Sequence, residues 1–427
     1  EWIDNWHVSQ KDIDYLKSLK NADGKSLFDE NFLNFLKDQK LNLTINAVAE
    51  GEIVFPNEPV LSVNGPCWQV DMVEAAFLNI FNAQSLIATK ASRMVNAATA
   101  DGKKRPVMEF GLRRAQDMGC FLPTRASYIG GCVGTSNVAA AQYYGIDVKG
   151  TMAHSFIMSY ENELDAFKSY LIASEGNTTL LVDTYDTREG VKNAIKASEE
   201  TGIKLQGIRI DSGDLAYWSK EARKLLDAAN MEHTKIVASN DLDEYLIENL
   251  IMVQQAPIDI FAVGTKLVTA YDNPALGGVF KTKEYNHQPK IKIAEGKTTI
   301  PGSTNVIRII KNGKYEGDII TKSADNLITD GKLNRNVQSF KLKSLTGENT
   351  VFKQGQTACT LLKPIMKDGN IIKNHLTLKQ IQENTLRNLD SLDNSYKRLA
   401  NPHVYGVGLE QNLFSLQQRL IQQHQER

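Results

Sequence analysis

Between residues 100 and 285, short apolar runs alternate with longer stretches of helical spacing. The runs fall at 107–110, 146–148, 179–182, 207–210, 235–238 and 260–263, with a weaker one at 278–280. Helical spacing fills 137–144, 161–174, 188–201, 215–230 and 242–254. Strands alternating with helices of about 10–15 residues predict βαβ units and parallel pairing. The end of each run is polar: Glu109-Phe-Gly-Leu-Arg113, Gly150-Thr-Met-Ala-His154, Asp183-Thr-Tyr-Asp-Thr187, Arg209-Ile-Asp-Ser-Gly-Asp214, Ser239-Asn-Asp241 and Gly264-Thr-Lys266. Asp211 and Ser212 alone would serve as helix caps. A succession of such tips is poorly explained as separate capping events, whereas an α/β barrel converges them on one pocket at the strands' C-terminal ends.

Outside this region the period changes. Residues 1–40 carry helical patterns broken at Asn21-Ala-Asp-Gly24, and 41–65 shorten towards period two in three short runs, the pattern of a small meander. A long alanine-rich helix is predicted over 68–98. Beyond 285 the pattern degrades. Short β-like runs surround Pro301-Gly302, 311–373 are mixed and turn-rich, and 376–388 and 413–423 read as amphipathic helices. The expected organisation is an N-terminal α/β unit over 1–98, a catalytic barrel over 99–285, and a segment over 286–427 that returns to the first unit. The chain starts at Glu1 with helical spacing already running through 2–19, so an upstream segment is expected to precede it.

Composition narrows the classes of partner. The 427 residues carry 49 basic and 50 acidic side chains, a net charge of −1, with no basic run. Nucleic acid is therefore excluded as a partner, while a phosphorylated small molecule, which needs only a few local cations, is not. The four cysteines show no CxxC spacing, which argues against a zinc site or disulfide framework and for a reducing, cytoplasmic setting. No apolar run approaches the roughly 18 residues of a membrane span, and no signal peptide is visible.

Several tips carry candidate chemistry. Gly264-Thr265 reads as a phosphate cradle or as an ordinary tight turn. Lys266, Arg113 and Arg114 would supply cations, although the arginine pair also fits a solvated helix start. His154 shares the rim with Asp183, Asp186, Asp211 and Asp214, and a histidine beside a carboxylate suits proton transfer or covalent phosphoryl capture. Phe110 reads as a stacking face for a flat substrate or as ordinary packing.

Taken together, Glu109-Phe-Gly-Leu-Arg-Arg-Ala-Gln116, Gly134-Thr-Ser-Asn137, Gly150-Thr-Met-Ala-His-Ser155, Asp183-Thr-Tyr-Asp-Thr187, Gly207-Ile-Arg-Ile-Asp-Ser-Gly-Asp214, Ala238-Ser-Asn-Asp-Leu-Asp243 and Val263-Gly-Thr-Lys266 resemble the nicotinate phosphoribosyltransferase family, in its longer bacterial form. The likeness extends from Glu50-Gly-Glu-Ile-Val-Phe-Pro-Asn-Glu-Pro59 to Asn401-Pro402-His403. It implies an irregular parallel α/β barrel of the type II phosphoribosyltransferase kind, with a smaller α/β domain built from both chain ends. It also implies a head-to-tail homodimer with active sites near the interface. The implied reaction joins nicotinate to phosphoribosyl pyrophosphate, with Mg2+ and with ATP hydrolysis coupled through a phosphohistidine, the first step of NAD salvage from nicotinate.

Carried over motif by motif, the phosphorylated histidine is His154. Arg209 lies near the nicotinate ring with Thr151 beside it, and Phe110 forms the opposite face of the sandwich. Phosphoribosyl contacts fall on Arg113, Asp211, Gly264 and Thr265. Ser136, Ser155, Asp183, Ser212 and Gly213 complete the implied substrate-binding set. No protein metal site is implied. The family's amino-terminal Thr-Asp-x-Tyr segment has no counterpart here, so one wall of the base pocket is unassigned.

Three other readings compete. A nicotinamide-using relative would want an aspartate where Met152 stands. A sugar-phosphate lyase or epimerase would want a Schiff-base lysine or a metal-ligand set, for which Lys266 is the candidate. A non-catalytic nucleotide-binding regulator would have lost the histidine or the Asp-Ser-Gly run.

Overall fold

The computed structural model describes residues 2–116, 118–176, 178–294, 298–342, 349–372 and 376–426. The chain enters through two short helices, α1 (Gln10–Ser18) and α2 (Glu30–Leu36). The helix expected over 2–19 is thus confined to its second half, because Ser9 and Asp12 form a capping box that starts it. Strands β1 (Thr44–Val48) and β2 (Leu61–Asn64) pair antiparallel, and α3 (Cys67–Ala98) follows. The run at 53–55 is not a strand. Among the described residues, no helix is long and apolar enough to cross a membrane.

The alternating region then unfolds in order. It comprises β3 (Val107–Glu109), α4 (Phe121–Ile129), α5 (Val138–Tyr144), α6 (His154–Met158), α7 (Glu163–Ala173), β4 (Thr179–Leu181) and α8 (Thr187–Thr201). There follow β5 (Gly207–Ile210), α9 (Leu215–Ala228), β6 (Lys235–Ala238), α10 (Glu244–Glu248), β7 (Ile260–Val263) and α11 (Thr265–Val268). Side-chain caps start most of the helices: Asn137 caps α5, Asp186 α8, Asp214 α9 and Asp243 α10. The cap of α9 is therefore Asp214, and not Asp211 or Ser212 as the capping reading had it, and Asp186 is likewise engaged as the cap of α8.

The strands form a parallel sheet ordered β3-β7-β6-β5-β4. Single parallel bridges carry the ladder on from Glu109 to Thr135 and from Thr135 to Val148. First and last strands of the region are thus neighbours, the cyclic order of a barrel. Among the described residues no backbone ladder joins Val148 to β4, so the ring is open at one seam. The strand expected at 146–148 shrinks to that single bridge. The weak run at 278–280 is not a strand, and Gly278 instead packs against Asn82 of α3.

Alternate residues point to opposite sides of each strand. Val107, Ile208, Ile210, Ile236, Ala238, Phe261 and Val263 face the surrounding helices in the main core. Met108, Val237 and Ala262, with Phe110 and Ile260, make a small core inside the ring.

The two chain ends meet as expected. β1 pairs antiparallel with Leu362–Lys367, with Ile45 opposite Met366. The stretch 311–373, read as mixed and turn-rich, is a succession of short strands, and those up to Thr360 belong to an eight-stranded sheet. The strand order is Ile328–Thr329, Lys332–Leu333, Thr357–Thr360, Thr304–Lys311, Lys314–Lys322, Val407–Glu410, Val337–Lys341 and Asn349–Phe352. Its hairpins turn at Asn312-Gly313 and Asp330-Gly331, with φ of 51° and 74° and of 48° and 71°. Two positive φ angles in succession match the strand twist in a two-residue hairpin and favour Asn-Gly or Asp-Gly.

A buried cluster fastens this sheet to the loop after β1. Arg308, 1% exposed, donates to both oxygens of Asp318, to Glu52 Oε1 at 2.7 Å and to Ile53 O at 2.8 Å. Its guanidinium lies 5.6 Å from the Phe55 ring and 4.4 Å from that of Tyr315. Tyr405 donates to Asp318 at 2.9 Å. Glu58 lies beside this group, and burial, reinforced by the Asp318 charge and a hydrogen bond to Asp318, pushes its carboxyl well above the ordinary range.

Two outcomes follow for stability. Replacing Arg308 by Leu leaves Asp318 buried without its counter-charge and should cost about 3–5 kcal/mol in denaturant unfolding. Glu58 binds its proton more tightly folded than unfolded, so its contribution is complete at acid pH and is lost as pH rises above the ordinary carboxylate range. Glu58→Gln should therefore raise Tm relative to wild type more at pH 8 than at pH 5; an equal shift at both would contradict the assignment.

Candidate active site

The residues on the inner parity of the strands continue past the strand ends into one rim. Phe110 follows β3, Asp183 follows β4, and Ser239 follows β6. Arg209 and Asp211 sit two apart on β5 and its extension, so both project inward. Gly264 follows β7, and Thr151 and His154 follow Val148.

Arg209 is the centre of this rim. Its Nε donates to Ser239 Oγ, one terminal nitrogen to Thr151 Oγ1, and the other to Asp211 Oδ1, each at 2.8 Å. Ser239 Oγ also donates to that same Asp211 oxygen. The second oxygen of Asp211 lies 3.7 Å from His154 Nε2, and His154 Nδ1 lies 3.1 Å from Thr184 Oγ1. Burial works to raise the Asp211 carboxyl, but the charge of Arg209, the bond from Ser239 and the nearby His154 outweigh it and hold it below the ordinary range. The group is an ionised carboxylate at neutral pH. Asp183 braces the loop, accepting from the Asp211 amide at 2.8 Å and from Ser212 Oγ at 2.6 Å. Its other oxygen is buried without a partner among the described residues. Gly213 turns the loop at φ 71°, where an added Cβ would stand 3.1 Å from Trp218 Nε1.

Phe110 lies with the Arg209 guanidinium 5.5 Å from its ring centroid. A flat ring between the two needs about 7 Å, two aromatic contact distances. The two groups stand too close for a flat ring between them, so the sandwich that the resemblance implies is not formed in this arrangement.

Beside Phe110 on the rim, Gly264 opens α11 so close that a Cβ there would stand 3.2 Å from the Phe110 carbonyl oxygen. Thr265 is the first residue of that helix. Arg113 lies exposed in the turn Leu112–Arg114 after β3, in no ion pair among the described residues. Ser136 donates its amide to Glu109 O at 3.0 Å, and Ser155 is exposed on α6.

Three candidates have other work. Glu109 is 1% exposed and points outward, accepting from the Gly111 amide, Thr124 Oγ1 at 3.0 Å and Thr135 Oγ1 at 2.5 Å. It therefore binds β3 to α4 and to the Thr135 bridge, not to the pocket. Lys266 forms an ion pair with Asp243 at 2.7 Å and is not a free cation for phosphate. Met152, 4% exposed, belongs to the outer core, so it has no direct say in the charge of the substrate. Conversely, Ser239 and Thr184 make central contacts without having been singled out. The register of β5 against β6, Ile210 opposite Ala238, is what brings Ser239 level with Asp211.

Residues 106–322 match the family model for nicotinate phosphoribosyltransferase, 1–82 match its N-terminal domain and 303–417 its C-terminal domain. The chain is 38% identical to nicotinate phosphoribosyltransferase of Bacillus subtilis over 97% of this chain and 84% of that one. It is 35% identical to the Caenorhabditis elegans enzyme of the same name, over 97% and 83% of the two chains. The crystal structure of human nicotinic acid phosphoribosyltransferase superposes with a TM-score of 0.82 at 25% identity, covering 98% of this chain and 90% of that one. With all three parts matched in order and relatives alike over more than four-fifths of their length, the chain belongs to the nicotinate phosphoribosyltransferase family.

Proposed function

We propose that this chain joins nicotinate to phosphoribosyl pyrophosphate, and that ATP hydrolysis drives the transfer through a phosphoryl group carried on His154. The observation that carries the reading is the fixed Arg209–Asp211–His154 constellation on the barrel rim. In the transfer the pyridine nitrogen attacks the anomeric carbon, and the bond from that carbon to pyrophosphate breaks, the electron pair leaving with the pyrophosphate. The ribose passes through cationic character, which an ionised Asp211 beneath it stabilises. Arg209 supplies the cation that distinguishes a nicotinate carboxylate from a neutral amide, and Phe110 swings aside to become the second face of the ring. Thr151 holds Arg209. Arg113, Gly264 and Thr265, with Ser136, Ser155, Ser212 and Gly213, provide the donors for phosphate and ribose oxygens, and Asp183 keeps the Asp211 loop in place.

Of the two ring nitrogens, Nδ1 is engaged by Thr184, so Nε2 attacks the γ-phosphorus of ATP; the bond to the bridging oxygen breaks and ADP leaves with its electron pair, and water later takes the phosphoryl group off as phosphate. A dianionic group beside the pyrophosphate site changes affinity for the leaving group, which links hydrolysis to synthesis. Among the described residues no cluster of three His, Cys, Asp or Glu side chains could hold a metal. Mg2+ in this reading arrives with the phosphates as their counter-ion.

The reading extends to a homodimer that supplies the unassigned wall of the base pocket, to the division into 1–98, 99–285 and 286–427, and to a cytoplasmic enzyme, which free thiols at Cys67 and Cys359 support. Initial rates with nicotinate and with nicotinamide, each with and without ATP, test it directly. Nicotinate alone should be used efficiently and its rate stimulated by ATP; a preference for nicotinamide would refute the reading.

With γ-labelled ATP the protein should acquire label that is lost in mild acid and survives alkali. His154→Asn should abolish labelling and the ATP-stimulated part of the rate, leaving slower ATP-independent transfer. A mutant that labels like wild type would remove His154 from the coupling step. Arg209→Gln should lower kcat/KM for nicotinate by about a hundredfold, and lower that for nicotinamide much less. Equal losses would show that Arg209 does not read the carboxylate.

A further inference from the structure

Arg209 and Asp211 could adopt several arrangements on their own. A guanidinium and a carboxylate two residues apart on a strand pair in more than one rotation. Ser239 removes that freedom. It is 3% exposed, and its amide continues the β5–β6 ladder by donating to Ile210 O at 3.0 Å. Its hydroxyl accepts from Arg209 Nε at 2.8 Å and donates to Asp211 Oδ1. A hydroxyl has one donor and two acceptor lone pairs, so it suits a place between a group that only donates and one that only accepts. With Oδ1 occupied by Ser239 and Arg209, Oδ2 is the oxygen left towards His154, at 3.7 Å.

The backbone beside it is held in an uncommon conformation. Asn240 and Asp241, immediately after Ser239, both have positive φ, 92° and 44°. Non-glycine residues rarely occupy that region, Asn and Asp being the more tolerant, and such strain persists where the surroundings impose it. The turn leads the chain away directly after Ser239 while its side chain stays on the inner parity.

Resting on the transferase reading above, we infer that Ser239 is a positioning residue, whose hydroxyl sets the guanidinium plane and the carboxylate rotation at which Arg209 meets the base and Asp211 meets the ribose. It touches neither substrate itself. Its effect passes through the two groups it joins.

The test compares Ser239→Ala, Ser239→Cys and Ser239→Thr with wild type, measuring kcat and KM for each substrate alongside Tm. Cysteine preserves approximate size with weak hydrogen bonding, whereas threonine keeps the hydroxyl. Alanine and cysteine should both raise KM for nicotinate and lower kcat, for a combined loss in kcat/KM of about 10–100-fold. Threonine should recover most of it. Ser239→Ala with kcat and KM unchanged would overturn the role. So would a kcat that falls only with the folded fraction while KM for nicotinate stays constant, or a cysteine variant as active as wild type. Wild-type protein that forms no nicotinate mononucleotide would instead overturn the transferase reading, so the two failures are distinct.

Discussion

At its seam the barrel is joined by side chains, where elsewhere backbone joins it. The parallel ladder runs from Val148 through Thr135, β3, β7, β6 and β5 to β4, and among the described residues it does not continue from β4 back to Val148. Among the described residues, two side-chain hydrogen bonds reach across this interval or over β4 from β5. His154 Nδ1 meets Thr184 Oγ1 just beyond β4, and Arg209 reaches from β5 to Thr151. Both involve groups that the proposed chemistry uses. The histidine is held at the opening in the ring.

From that constraint the electrostatics follow. Arg209 gives three of its five N–H donors to acceptors on three different tips, so its charge is fixed in direction while donors remain for a ligand. Asp211 is correspondingly ionised despite its burial, because guanidinium and hydroxyl outweigh desolvation. An ion pair at a surface would contribute little; this one is half-buried and its geometry is imposed from both sides by β5 and β6. Its value is in orientation, because a pre-oriented charge needs no reorganisation as the ribose becomes cationic. The contrast with Arg308 is instructive. That guanidinium is enclosed by Asp318, Glu52, Phe55 and Tyr315, with no access for a ligand, and it ties the loop after β1 to the C-terminal sheet. The same residue type serves the site in one place and the fold in another, and burial separates the roles.

The βα order of the middle third was legible in the sequence, because four-residue apolar runs separated by helical spacing admit few other folds. So were the tips, since their polar composition is at odds with the runs they end. The residues of the rim were found through the tips, and His154, Arg209, Asp211 and Asp183 do come together. Glu109 was misread because strands buried on both faces show no alternation. Val107 and Met108 are equally apolar, so nothing local says which parity faces inward. The C-terminal sheet was missed for another reason. Its strands are two to nine residues long and several pair across wide separations, as Asp318 does with Val407. The Asn-Gly and Asp-Gly turns were the available signal.

By itself, then, the sequence determined the βα succession of the middle third and the kinds of group at each strand end. These depend on local spacing and on backbone preference, which a few neighbouring residues decide. Only the tertiary structure decided that the ring stays open between Val148 and β4, that Glu109 points to Thr124 and Lys266 to Asp243, and that Ser239 stands between Arg209 and Asp211. Each of those is set by which strands lie side by side and in what register, and register is a property of packed neighbours far apart in the chain.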